Sequence, residues 1–191
     1  WTGVAVGPHA CATHTDQSLD CWGPNGQGQI GVGTSGNTIA GPTSTGLKAT
    51  QVAIGSRHTC AIEASTGHLF CWGDGSNGQL FAAGSATSPR QVGTETWTKV
   101  ACGRQTSCAI KSDGTVWCAG SGYTGTAQVG LGAKTGHTDV TAAIDDDTYY
   151  AVQSGKLVTW SSASNAANDG AETQWAQASA SKFERCAVRT T

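Results

Sequence analysis

The chain is 191 residues long, carries a formal net charge of −2, and only 13% of its residues are charged, about half the usual share of roughly 25%. Eleven basic residues, scattered without a run, do not form the concentrated positive surface that nucleic-acid binding needs. No stretch approaches the roughly 18 apolar residues of a membrane-spanning helix.

Glycine is abundant and Ser and Thr fill much of the remainder, which suits short strands joined by tight turns rather than helices. The chain begins with Trp1 and holds no Met, which reads as a removed leader or a fragment of a longer chain.

One sentence is written repeatedly along the chain. Residues 4–33 read VAVGPHACATHTDQSLDCWGPNGQGQIGVG, residues 52–84 read VAIGSRHTCAIEASTGHLFCWGDGSNGQLFAAG, and residues 100–132 read VACGRQTSCAIKSDGTVWCAGSGYTGTAQVGLG. A fourth, eroded copy runs from Ala142 to about Gly170, and a half copy starts at Trp175. Such a period describes small units that bury apolar surface only by stacking on one another. The copies are expected at about 1–47, 48–96, 97–139 and 140–174, with a half copy at 175–191, in one domain.

Within each copy a short apolar strand comes first (Val4-Ala5-Val6, Val52-Ala53-Ile54, Val100-Ala101-Cys102), followed at once by Gly7, Gly55 or Gly103. A second strand holds a cysteine, and a hairpin turn such as Ser112-Asp113-Gly114 follows. A third strand ends in Cys-Trp-Gly at residues 21–23 and 71–73, or Cys118-Ala119-Gly120. A glycine-rich segment closes the unit. The tract at residues 34–46, rich in Thr, Ser, Gly and Pro, reads as an exposed loop or an O-glycan acceptor. No Asn-x-Ser/Thr sequon occurs.

The cysteines form three evenly spaced couples, Cys11 with Cys21, Cys60 with Cys71 and Cys108 with Cys118, each bracketing a hairpin. Residues equidistant from a turn face each other at about 4.5 Å, within reach of a disulfide. In the fourth copy Tyr150 and Thr159 stand at both cysteine positions, and the joint loss marks each couple as one covalent unit. Zinc fits poorly, because CxxC spacing and companion histidines are missing. Disulfides imply an oxidising compartment, so the chain is expected to be secreted or displayed on a cell surface. Cys102 and Cys186 remain. They pair with each other across two units, or Cys102 is a buried thiol and Cys186 is open to a neighbouring molecule.

Several separated positions (V-A-x-G-x-x-H-x-C-A, D-G-x-V-x-C-W-G, N-G-Q-L-G) recur in order, and this string resembles the repeats of the regulator of chromosome condensation. The resemblance covers most of the chain and is weak from Ala142 onward. It implies an all-β, β-propeller-like stack of about four blades plus a half repeat. It also implies loops presented to a protein partner. The chain departs from that family in its paired cysteines and in having fewer copies than a seven-bladed ring. The ring is therefore small or open, and open strand edges invite another chain or a further copy.

The candidates for chemistry are few. His9 and His58 occupy one repeat position, with Thr106 and Thr148 in later copies, and read as framework between blades rather than as bases. His14, His68 and His137 are isolated and default to surface or turn positions. Asp145, Asp146 and Asp147 read as a solvated loop, lacking a calcium-loop pattern. Trp22, Trp72 and Trp160 recur at one position, and Trp1, Trp97 and Trp175 at another, so both sets read as inter-blade packing. Trp117 stands outside this pattern and reads as an exposed aromatic contact.

No catalytic set, cofactor motif or metal triad can be assembled. The first functional reading is a non-enzymatic extracellular module for assembly or surface attachment, such as a subunit of a filament or multi-subunit assembly. The second is a soluble binding protein, an enzyme inhibitor or lectin, whose varying loop residues Arg57, Arg104, Trp117, Tyr123 and Asp145 touch a protein or glycan.

Overall fold

The computed structural model describes residues 1–122, 127–128, 137–142, 148–154, 156–161, 164–168, 175–180 and 185–189. Every regular element in them is a strand. The first blade contains β1 (Gly3–Val6), β2 (Ala10–Thr13), β3 (Ser18–Pro24) and the first part of β4 (Thr38–Ile54). The second contains the rest of β4, β5 (His58–Glu63), β6 (His68–Gly73) and the first part of β7 (Ala86–Cys102). The third contains the rest of β7, β8 (Thr106–Lys111), β9 (Val116–Gly120) and β10 (Ala127–Gln128). The fourth is the sheet β11 (His137–Ala142), β12 (Thr148–Gln153), β13 (Lys156–Ser161) and β14 (Ser164–Asn168). A hairpin of β15 (Trp175–Ala180) and β16 (Arg185–Arg189) follows.

All pairings are antiparallel meanders between neighbours in sequence. Strands β4 and β7 each serve two blades. β4 pairs with β3 as far as Lys48 and with β5 from Ala49. β7 pairs with β6 as far as Thr96 and with β8 from Trp97. The Thr- and Ser-rich tract at 34–46 is therefore no free loop, because from Thr38 onward it is the outermost strand of the first blade. Its residues are mostly exposed, so it carries no apolar alternation to announce it.

Hairpin turns fix the register. Gly114 N–H donates to Lys111 O at 2.9 Å, and the Asp113 carboxylate accepts from the Thr115 N–H at 2.8 Å. In the second blade the Glu63 carboxylate accepts from the Thr66 N–H at 2.8 Å. These turns set Cys11 opposite Cys21, Cys60 opposite Cys71 and Cys108 opposite Cys118. Each pair is a disulfide with Cα atoms 4.1 Å apart. At the same register in the fourth blade, Tyr150 faces Thr159.

The apolar core lies between blades rather than within them. Leu19, Cys21 and Ile30 of the first blade pack on Ile54, Ala61 and Trp72 of the second. Leu69, Leu80 and Phe81 of the second pack on Val100, Cys102 and Ala109 of the third. Ile110 and Val116 of the third pack on Val140, Tyr149 and Val158 of the fourth. Each blade thus exchanges one face with its neighbour, as the repeat period requires. On the outer side of the first blade, Val4 is 68% and Val6 69% exposed, whereas Ile54 and Cys102, the counterparts of Val6 in the next two copies, are buried.

Glycines make this close approach possible. Gly73 has φ +99°, and a Cβ there would lie 2.5 Å from Arg57 O and 2.7 Å from His58 Cα. Gly120 has φ +120°, with Gln105 O 2.2 Å from the same point. Only a residue without a side chain fits under the turn that opens β5 or β8.

Candidate functional site

His9 and His58 have framework roles, and the structure gives the framework a rule. The residue at the His9 position of one blade bonds the next repeat position of the following blade. His9 Nε2 meets Thr59 Oγ1 at 2.7 Å, His58 Nε2 meets Ser107 Oγ at 2.8 Å, and Thr106 Oγ1 meets Tyr149 OH. Thr59 then donates to Gln29 O at 2.8 Å, which also accepts from Trp72 Nε1 at 2.9 Å. Every polar partner is buried, so each bond satisfies groups that would otherwise cost about 1–3 kcal/mol apiece. The hydroxyls of Thr59, Ser107 and Tyr149 recur directly after the framework position, a signal present in the sequence.

Burial lowers His9 to about 4, and burial followed by the charge of His9 lowers His58 to about 4. Both are neutral in the folded chain at pH 7. Between about 6.5 and 4 the unfolded chain takes up these protons and the folded chain does not, so stability falls as pH falls through that window. Each histidine removes up to about 1.4 kcal/mol per pH unit there. Thermal melts from pH 7.5 to 4.5 are expected to show this slope, and His58→Gln to flatten it. An unchanged slope in that variant would contradict the assignment.

The remaining histidines divide. His14 and His68 are partly exposed, and His14 pairs with Asp20 at 3.1 Å. His137 is buried instead, donating through Nδ1 to Gly114 O at 3.0 Å, because β11 packs it against the hairpin turn of the third blade.

Cys102 is a free, buried thiol. The Ser107 hydroxyl donates to its sulfur at 3.6 Å, and burial pushes the thiol up to about 12, which makes it inert to oxidation at neutral pH. This is the second of the two alternatives raised for Cys102, the buried thiol. The backbone of Cys186 faces Ser179 in the last hairpin, and its side chain lies outside the described residues.

Of the five candidate contacts, the structure brings two together. Arg57 and Arg104, both exposed, line a groove of about 240 Å3 with Ser56, Asp74 and Gln105. The groove lies between the turn that opens β5 and the turn that opens β8. Ser56 Oγ donates to Arg104 O at 2.5 Å, which ties the two turns together, and Asp74 N–H donates to Arg57 O at 2.9 Å, which holds the first turn to the end of β6. Among the described residues the ion pairs are His14–Asp20, Lys99–Asp139 and Lys111–Glu95, so neither guanidinium is neutralised in one. Two such forks above one carboxylate suit carboxylate groups on a partner. Tyr123 and Asp145 fall outside the described residues, as do Asp146 and Asp147.

Trp117 lies elsewhere, on β9 opposite Ala109, about 10 Å along the ladder from the start of β8. It is half-buried rather than freely exposed, because Lys111 Nζ rests 4.1 Å from its ring centroid. It shares a groove of about 310 Å3 with Phe81, Val92, Gly93, Glu95, Trp97 and Lys111. Lys111 bonds Glu95 Oε1 at 3.1 Å. The Glu95 carboxyl is held below its usual range by its own backbone N–H and then by Lys111.

Two features of this groove carry a cost. Phe81 has φ +56°, where a bulky side chain forfeits roughly 1–2 kcal/mol. Its room comes from a swap: in the first copy Gly31 stands here under Trp72, whereas Trp72's counterpart in the third copy is Ala119, in one cluster with Phe81. The indole N–H of Trp97, a residue only 5% exposed, has no acceptor. Trp1 and Trp22 are not packed between blades: Trp1 is 62% exposed and stacks 3.9 Å from His14, with Trp22 6.4 Å away. Among the described residues no three His, Cys, Asp or Glu side chains converge as a metal site, and no helix is long and apolar enough to cross a membrane.

The comparisons agree with this architecture. The sequence patterns of the Regulator of chromosome condensation (RCC1) repeat match residues 21–62 and 66–110, and, in a second form, 49–79 and 97–125. The chain belongs to the RCC1 repeat family. The human probable E3 ubiquitin-protein ligase HERC3 is 33% identical over 166 residues, covering 81% of this chain and 15% of HERC3. The ultraviolet-B receptor UVR8 of Arabidopsis thaliana is 38% identical over 76 residues, covering 38% of this chain and 17% of UVR8. The chain therefore spans a small part of the curated relatives it matches.

Among solved structures, human WBSCR16 superposes with a TM-score of 0.73 at 20% identity, over 84% of this chain and 47% of that one. Yeast RCC1 (Prp20), crystallised with Kap60, gives 0.68 at 17% identity, over 83% and 43%. The CRINKLY ectodomain of the Arabidopsis thaliana receptor kinase ACR4 gives 0.61 at 18% identity, over 98% and 59%. These likenesses establish the propeller fold, which supports a protein-interaction module.

Proposed function

We propose that this chain is a secreted, non-enzymatic propeller-like module at the cell surface or in the extracellular space, serving assembly or attachment through a protein partner or further copies of itself. The observation that carries this reading is the set of three fully buried disulfides at one repeat position, a device that persists in oxidising compartments. Yeast RCC1, crystallised bound to Kap60, provides a precedent for a protein that contains this fold binding another protein. The CRINKLY ectodomain of a receptor kinase provides one for this fold outside the cell. The arginine groove offers the polar contact. The outer side of the first blade, with Trp1, Val4 and Val6 exposed, offers an apolar one to another copy.

The second reading is a soluble binding protein, an inhibitor or lectin, and the groove beside Trp117 favours it. Intact mass before and after reduction is expected to count three disulfides in native material. Light scattering across a concentration series is expected to show association. Free thiols throughout would remove the extracellular reading, and a compact, concentration-independent monomer would remove self-assembly.

A further inference from the structure

We propose that Cys102 is a latent disulfide-exchange site: when the interface between the second and third blades opens, its thiol attacks Cys60 and turns the Cys60–Cys71 staple inside one blade into a Cys60–Cys102 staple between two. The side chains involved are ones that neither functional reading uses. Cys102 lies on the part of β7 that belongs to the third blade, and Cys60 on β5 of the second. Both are buried, in one cluster with Cys71. A single hydroxyl stands between the two sulfurs: Ser107 Oγ is 3.6 Å from Cys102 Sγ and 3.7 Å from Cys60 Sγ. The Cys60 backbone also hydrogen-bonds the thiol.

The arrangement is particular to this pair of blades. Val6, Ile54 and, in sequence, Ile144 occupy the repeat position of Cys102, so an apolar side chain serves the packing in the other copies. Cys11–Cys21 has Ile54 in its cluster, and Cys108–Cys118 lies in a different cluster, against the fourth blade. Among the described residues Cys102 is the one free cysteine.

The bond between His58 Nε2 and Ser107 Oγ, 2.8 Å across the same interface, holds the blades shut over the thiol. While it holds, burial keeps the sulfur protonated and no exchange runs, since the thiolate is the nucleophile. Once the blades part, water restores the ordinary acidity of the thiol. The thiolate then displaces Cys71 from Cys60. The Cys60–Cys102 bond forms as the Cys60–Cys71 bond breaks, and Cys71 leaves as a thiolate that takes up a proton. One thiol and one disulfide enter and one of each remain, so the step needs neither oxidant nor reductant.

The test is disulfide mapping of the oxidised full chain, held in urea below its unfolding midpoint for about a day at about pH 8.5, where half of exposed thiols are ionised. Samples are quenched with acid, free thiols are alkylated, and peptides are assigned by mass spectrometry. Cys102 is expected to be joined to Cys60, with the alkyl label on Cys71, in at least tenfold excess over any species in which Cys11–Cys21 or Cys108–Cys118 has opened. Above the midpoint the preference is expected to pass to Cys108, the disulfide cysteine nearest Cys102 in sequence, because loop closure then decides. Cys102→Val, which supplies the residue of the first copy, is expected to keep the three native bridges, and Cys186→Ala to leave the exchange unchanged. The parent's own map decides the matter even if a variant folds poorly. Label that stays on Cys102 below the midpoint, exchange that enters Cys108–Cys118 as readily as Cys60–Cys71, or exchange that stops in Cys186→Ala overturns the proposal. Each of these results leaves the extracellular and protein-docking readings untouched.

Discussion

Replacing Cys60 and Cys71 together by alanine is expected to lower the unfolding free energy by roughly 2–4 kcal/mol, through the freedom returned to the unfolded chain. Both sulfurs are fully buried in the second blade, which packs on neighbours at both faces. The fold is expected to survive. The fourth blade shows why: Tyr150 faces Thr159 at the same register, so the hairpin forms without the staple. Denaturant titration of the double variant against the oxidised parent measures the loss. The fully reduced parent should lie at or below the variant. A loss under about 1 kcal/mol would mean that the bridge contributes little to stability.

Gly73→Ala is expected to cost more, roughly 3–5 kcal/mol, combining a disfavoured backbone with an overlap that cannot relax. The overlapping atoms, Arg57 O and His58 Cα, belong to the backbone of the turn that opens β5, so no side chain can swing aside. Gly78 supplies the control. Its φ is +81°, yet a Cβ there meets nothing within 4 Å, so Gly78→Ala is expected to cost only about 1–2 kcal/mol. Equal losses in the two variants, read by denaturant midpoints, would refute the close-approach argument. Because the same turn carries Arg57, Gly73→Ala also displaces one wall of the arginine groove.

The paired cysteines and the repeat were legible because both rest on spacing, and spacing survives the erosion of individual residues. The fourth copy shows this, keeping its register after losing both sulfurs. The outermost strand of each blade was not legible. Thr38 to Lys48 is largely exposed, so burial imposes no alternation on it, and its Thr, Ser, Gly and Pro content imitates a loop. The inter-blade bonds were half legible: the histidines recur visibly, but their partners sit one position further on in the next copy, as Thr59, Ser107 and Tyr149. The tryptophans misled for a related reason. Position in the repeat says which face a ring points to, and only the fold says whether a neighbour covers that face. Trp97 has a neighbour, whereas Trp1, at the same repeat position, remains in water. The Arg57–Arg104 groove was legible as two varying positions. The Phe81-for-Gly31 and Ala119-for-Trp72 exchange becomes visible only when two copies are laid against each other.

Strands β4 and β7 have a mechanical corollary. Since each passes from one blade into the next without leaving the sheet, no hinge separates the first three blades, and tension applied along the chain meets hydrogen-bonded ladder instead of slack. A protease that cuts within β4 would sever two blades at once, so limited digestion should spare this stretch or dismantle it whole. Truncations that respect the sulfur pairs but end between Thr38 and Ile54 would leave one blade without its rim and the next without its innermost strand.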